Sequence, residues 1–222
     1  MKKIAVILVV VSVVLFGYWR LQGGKRPSPA KIEGLPWQID SLADGASRVF
    51  GISPGRTTLG EVKKLMGSGA VLAIIGTSKT DYGLEMYASH YQAGILKGKL
   101  VIVSGLDRAS LDAMLQRAVR QGVSRRFLLQ ADDIPVALQS RVKSITFIPA
   151  VNLDEGVVRR RFGTPVRIVS TGDTVKHFLY PDKGLDVIIN DRGKEVLQYV
   201  APRDFSILMD PLIKTTRDII PG

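Results

Sequence analysis

The chain has 222 residues, with 31 Lys and Arg against 20 Asp and Glu, a net charge of +11 and no cysteine. The absence of Cys excludes a disulfide framework, a thiolate metal site, a cysteine nucleophile and a lipid-modified N-terminal cysteine. Two histidines, His90 and His177, are too few for a histidine-rich metal cage, and 23% charged residues with 22 glycines match an ordinary globular composition.

The charge is unevenly placed. Residues 1–30 hold Lys2, Lys3, Arg20, Lys25 and Arg26 with no acid, so +5 lies in a short N-terminal segment and +6 in all the rest. That segment contains an apolar run over residues 4–19, including Ile4, Val10 and Leu15, with Tyr18 and Trp19 at its end. The run is far too long for a strand and lies near the lower limit of roughly 17–25 residues for a membrane-crossing helix. Its terminal aromatic rings suit the headgroup level. A cleaved signal peptide would need small residues before the cut, whereas Leu15-Phe16-Gly17 and Leu21-Gln22-Gly23 place a large one there. Residues 1–24 therefore read as an uncleaved signal anchor. Two lysines directly before an apolar run have the layout of a bacterial export signal, although the basic count beyond the run competes with it. The expectation is a single-pass protein of the bacterial inner membrane with its soluble domain in the periplasm.

Residues 25–36, with Gly23-Gly24 before them and Pro27, Pro29 and Pro36 among them, read as a Pro/Gly/basic linker. Beyond it, residues 37–125 and 126–205 read as two α+β units, with 206–222 as a C-terminal tail. In the first, Leu59, Val62 and Met66 recur at helical spacing after Thr57-Thr58 and before Gly67. Strand-like runs follow at 71–75, 84–91 and 100–103. A helix over 110–121, with Leu111, Met114, Leu115, Ala118 and Val119 on one stripe and Gly122 after it, packs on a sheet. A strand over 143–148 leads into the second unit, where a short helix ends at Phe162-Gly163-Thr164-Pro165. Strands are expected at 166–170, 175–180, 185–190 and 195–200. The order of elements and the two Gly-Lys turns, Gly98-Lys99 and Gly193-Lys194, suggest an internal duplication.

The residues Phe162-Gly163-Thr164-Pro165, His177-Phe178-Leu179-Tyr180 and Gly193-Lys194-Glu195-Val196 resemble the BamE (SmpA/OmlA) outer-membrane assembly family. Gly55-Arg56-Thr57, Val62 and Gly67 resemble its Gly-Met-Thr entry to the helix. Two such units in tandem are similar to the β-lactamase inhibitor protein. The likeness implies an α+β fold of two tandem helix-plus-antiparallel-sheet repeats after an N-terminal transmembrane helix, and a binding role. Ala150-Val151-Asn152 replaces the Gly-Met-Thr string in the second unit. The family's lipid-bearing cysteine is missing, so an outer-membrane lipoprotein is not implied.

Catalytic signatures are scarce. Gly98-Lys99 runs into Leu100 and Gly193-Lys194 into Glu195, so neither is a phosphate-cradling loop. No Gly-x-Ser-x-Gly elbow accompanies His90 or His177. Asp132-Asp133 and Asp154-Glu155 are adjacent pairs that point apart in any regular element and suit helix starts. No cofactor and no metal is expected.

Two surface features remain. Strand alternation sets Tyr87 and Tyr91 opposite Leu84 and Met86, Phe178 and Tyr180 opposite Val175 and Leu179, and Leu197 and Tyr199 opposite Val196 and Val200. If helices cover the aliphatic sets, the aromatic sets form an open partner-binding face. The alternative is a sheet covered on that side by the helix over 110–121. Arg159, Arg160, Arg161 and Arg167 form a candidate anionic-surface patch. The expectation is a non-catalytic, membrane-anchored binding protein of the cell envelope that recognises a protein or envelope component. Anionic-lipid or nucleic-acid binding through arginines, and an unrecognised envelope hydrolase, are the alternatives.

Overall fold

The computed structural model describes residues 32–76, 78 and 81–219, with side chains described as far as Ile213. The expected membrane anchor over 1–24, with Ile4, Val10, Leu15, Tyr18 and Trp19, lies outside the described residues. Among the described residues no helix is long and apolar enough to cross a membrane.

A small hairpin, β1 (Asp40–Ser41) and β2 (Ser47–Arg48), opens the domain. Ten further strands form one sheet. They are β3 (Val71–Gly76), β4 (Tyr82–Ala93), β5 (Leu96–Ser104), β6 (Val119–Arg120), β7 (Arg126–Leu128), β8 (Val142–Pro149), β9 (Arg167–Thr171), β10 (Val175–Tyr180), β11 (Leu185–Asn190) and β12 (Val196–Val200). Their order is β6-β7-β3-β4-β5-β8-β12-β11-β10-β9, and every neighbouring pair is antiparallel. Among the described residues five helices accompany them: α1 (Leu59–Met66), α2 (Arg108–Arg117), α3 (Ile134–Gln139), α4 (Glu155–Phe162) and α5 (Ser206–Ile219).

The expected pair of tandem helix-plus-sheet repeats is overturned. β8 is hydrogen-bonded to β5 on one side and β12 on the other, so the strands after α1 and those after α4 belong to one sheet. One cluster of buried apolar residues runs from Leu59 and Val62 of α1 through Ile102 and Phe147 to Val158 and Phe162 of α4. A sheet strand with both edges satisfied ties the two halves together through its backbone and its side chains alike.

Local chemistry sets the helix ends. Thr58 caps α1 in a reciprocal box with Glu61, and Gly67 at φ +67° ends it. Asp107 and Asp154 cap α2 and α4 through the N–H groups of Ser110 and Val157. The helix expected over 110–121 stops at Arg117, because Val119 and Arg120 pair with Leu128 and Phe127 as a hairpin, and Gly122 lies in its turn. Residues after Phe205, expected as a tail, form α5.

Register decides which side chains meet. One row crosses the sheet as Leu72, Met86, Ile102, Ile145, Tyr199, Leu185 and Tyr180, and a second as Ala88, Leu100, Phe147, Leu197, Val187 and Phe178. Helices α1 to α4 cover this face. Phe50 closes it, its ring 5.5–5.7 Å from those of Tyr91, Phe147 and Tyr199. Phe50 sits at φ +55° with Gly51 at φ +75° in the turn between Val49 and Ile52, which exchange two backbone hydrogen bonds. Two successive positive φ values match the right-handed twist of a tight hairpin, and the buried ring offsets the strain on a non-glycine residue.

Candidate functional site

Among the described residues, the second face of the sheet is covered at one end only. α5 packs Leu208, Met209 and Leu212 with Phe205 against Val169, Leu179 and Val200. Away from α5, a row passes straight across neighbouring strands as Val71, Tyr87, Val101, Thr146 and Gln198. Val71 is 41% exposed and the other four are half-buried. A parallel row, Ala73, Glu85, Val103 and Ser144, runs beside it. Its end opens into a groove of about 740 Å³ bounded by Glu85, Val103, Lys143 and the first residues around α5, Asp204 and Ile207.

Glu85 is the acidic side chain within these rows. Burial pushes its carboxyl above the usual carboxylate range. At the mouth of the groove Tyr82 donates a hydrogen bond to Asp112, Arg108 pairs with the same carboxylate at 2.9 Å, and the guanidinium lies 3.8 Å over the Tyr82 ring.

Of the six aromatic and aliphatic residues expected on an open face, Tyr87 lies on it. Phe178, Tyr180, Leu197 and Tyr199 are corrected to core positions, with at most 3% of their surface exposed. The period of two holds along these strands, but in this half α4 covers the aromatic side. Phe162 packs its ring 6.1 Å from Tyr180, and the Tyr199 hydroxyl donates to Pro36 O at 3.0 Å. Tyr91 is turned to the core as well. One extra residue in β4 between Ala88 and Tyr91 shifts the register, so that Tyr91 opposes Gly98 and its ring meets Phe50 and Phe147.

The four arginines do not form one patch. Arg159 is bound to Glu155 at 2.8 Å, and Arg161 lies 4.6 Å over the Trp37 ring. Arg160 is exposed. Arg167 opposes Leu179 on the face that α5 covers, away from α4. Two further arginines are engaged within the domain: Arg117 pairs with the buried Asp133 at 2.5 Å, and Arg120 donates to the carbonyls of Val123 and Ser124.

One constellation escaped the sequence. His177 Nδ1 lies 2.7 Å from Asp186 Oδ2, and its Nε2 lies 3.2 Å from Thr171 Oγ1. Asp186 and Thr171 thus hold the two ring nitrogens from opposite sides. Three neighbouring strands supply these residues, 6 and 9 positions apart in sequence, a spacing that no short motif reveals. Burial raises the Asp186 carboxyl, opposed by His177, and Asp186 Oδ1 has no hydrogen-bond partner. The residues have the chain order of a hydroxyl, base and acid. They are nevertheless packed inside the sheet, with His177 8% and Asp186 1% exposed, and the groove described above is lined by other residues. This is a buried structural pair. Among the described residues no three His, Asp or Glu side chains gather as a metal site would require.

No protein-family model matches this chain, and no match is found among curated proteins or solved structures. Function is read from the residues.

The open rows combine β-branched side chains, one tyrosine and one acid that burial keeps from easy ionisation. Half-buried apolar strand residues flanked by polar ones make up the anatomy of a protein contact, in which the apolar centre contributes affinity and the rim fixes register.

Proposed function

We propose that this chain is a non-catalytic, membrane-anchored binding protein of the bacterial cell envelope. Its folded domain, held on the exported side by residues 1–24, recognises a protein ligand through the open face of the sheet. The observation that carries this reading is the asymmetry of the sheet: one face is sealed by four helices, while the other leaves Val71, Tyr87, Val101 and Thr146 half-exposed in a continuous row beyond α5. Glu85, raised by burial, lies in the adjacent row. A ligand that brings an apolar segment with one Lys or Arg would cover the row and place a counter-charge beside Glu85. The arginine-mediated alternatives have less support, since Arg159, Arg161, Arg117 and Arg120 are engaged within the domain.

The cysteine-free sequence makes the test clean. Single cysteines at Tyr87 and Val101, carrying a thiol-directed photocrosslinker in the full chain in its membrane, are expected to capture a discrete protein. The same label at Leu65 of α1 or Val136 of α3, both exposed on the helical side, is expected to capture none. Glu85→Lys should weaken the face-specific adduct. Equal yields from all four positions, or no adduct from Tyr87 and Val101, would remove the open face from the account.

A further inference from the structure

The two Gly-Lys strings, Gly98-Lys99 and Gly193-Lys194, are 95 residues apart and fail as phosphate loops individually. The fold brings them to one cavity. It measures about 470 Å³ and opens where the β4–β5 hairpin, the end of β8 and the turn between β11 and β12 meet. Lys97, Lys99, Lys194 and His90 line it, and no Asp or Glu does. None of the three lysines forms an ion pair with another described residue. Lys194 is held by neutral acceptors, its Nζ 3.1 Å from Asn152 Oδ1 and 3.4 Å from Ala150 O, which fix its position without cancelling its charge.

Two backbone features shape the recess. The extra residue in β4 bows the strand at Ser89-His90, where Ser89 Oγ sits 2.9 Å from His90 Nδ1. Gly98 lets β5 press onto β8, since a Cβ there would stand 2.5 Å from both Ile148 O and the Phe147 ring. Ile148 and Pro149 give the cavity apolar wall.

Three lysines lining one recess without a carboxylate among its lining residues leave it positively charged, and a bound anion relieves their mutual repulsion more strongly beside low-dielectric walls. Their combined charge suits a phosphate better than a single carboxylate, with each lysine acting as a point charge. The apolar wall suits a hydrocarbon group attached to it. The geometry points to a binding site for a small amphiphilic phosphate ester, its head on Lys97, Lys99 and Lys194 and its apolar group against Ile148 and Pro149. This site lies on the same face of the sheet as Val101 and Thr146, one step further along β5 and β8 at Lys99 and Ile148, and its test does not depend on the binding role proposed for that row. A phosphorylated small molecule or a phospholipid headgroup would present the same chemistry.

The test titrates hexyl phosphate calorimetrically into the full chain held in phosphatidylcholine nanodiscs at low ionic strength. Saturable binding of one equivalent is expected, with inorganic phosphate weaker by about tenfold or more for lack of the apolar group. Lys99→Ala and Lys194→Ala, both at exposed positions, should each weaken hexyl phosphate by about three- to tenfold, the scale of one lost charge-assisted contact. Ala150→Trp fills the recess while keeping every ammonium group and should abolish binding. Competition by phosphatidylglycerol placed in the nanodisc assigns the site to a lipid headgroup, and undiminished binding assigns it to a free phosphate ester. Absence of saturable binding, or binding indifferent to Ala150→Trp or to both lysine variants, would overturn the site.

Discussion

Burial without a counter-charge sets the behaviour of Glu85. Its carboxyl holds a proton more tightly in the folded chain than in the unfolded one. Folding is therefore favoured at pH values below the ordinary carboxylate range, and that contribution is lost as pH rises through the raised folded value. Glu85→Gln should remove this slope. Urea midpoints are expected to match the parent below about pH 4 and to exceed it near about pH 7; a variant no more stable at the higher pH would contradict a burial-driven shift. The sequence showed that Glu85 and Tyr87 share a face, because a period of two is visible in one strand. It did not show that Phe178, Tyr180, Leu197 and Tyr199 belong inside. Alternation separates two sets of side chains but carries no sign, and the placement of α4 over the aromatic set is a fact of tertiary packing. The His177–Asp186–Thr171 chain was out of reach for a related reason: its members converge only through strand pairing.

Most strands and both short capped helices were legible from their own residues, since β-branched runs, Gly turns and Thr or Asp caps act locally. The misplaced end of α2 was not. Val119 and Arg120 fit the helical stripe in sequence, yet they gain a ladder partner in β7 and leave the helix. The bulge in β4 was equally silent, and it redirects Tyr91 from the open face to the core. The junction of β5 with β8 depends on the bare Cα of Gly98. Gly98→Ala would drive a methyl group into Ile148 O and the Phe147 ring. Overpacking of this kind costs about 1–3 kcal/mol, and the backbone contact places this site toward the upper end. The fall in urea midpoint measures it; a neutral effect would show that β5 and β8 can part without loss.

At the scale of the molecule, order and antiparallel hairpins were readable, whereas the joining of the strands into one sheet was not. Two similar runs of elements look independent in sequence, and only the insertion of β8 between β5 and β12 makes them one body. A shared core implies shared unfolding. Far-UV circular dichroism and tryptophan fluorescence, in which Trp37 reports on its contact with Phe162, should follow one coincident urea transition. Two separated transitions would restore independent halves. The position of β12 has a further consequence during synthesis. This strand sits between β8 and β11, yet it is made after every other strand. Until residue 200 has left the ribosome, β8 presents a bare hydrogen-bonding edge, and unpaired edges recruit other chains. The nascent polypeptide thus has no finished sheet to collapse onto until β12 has emerged, and a holdase that masks β8 in that interval would keep it from pairing with other chains.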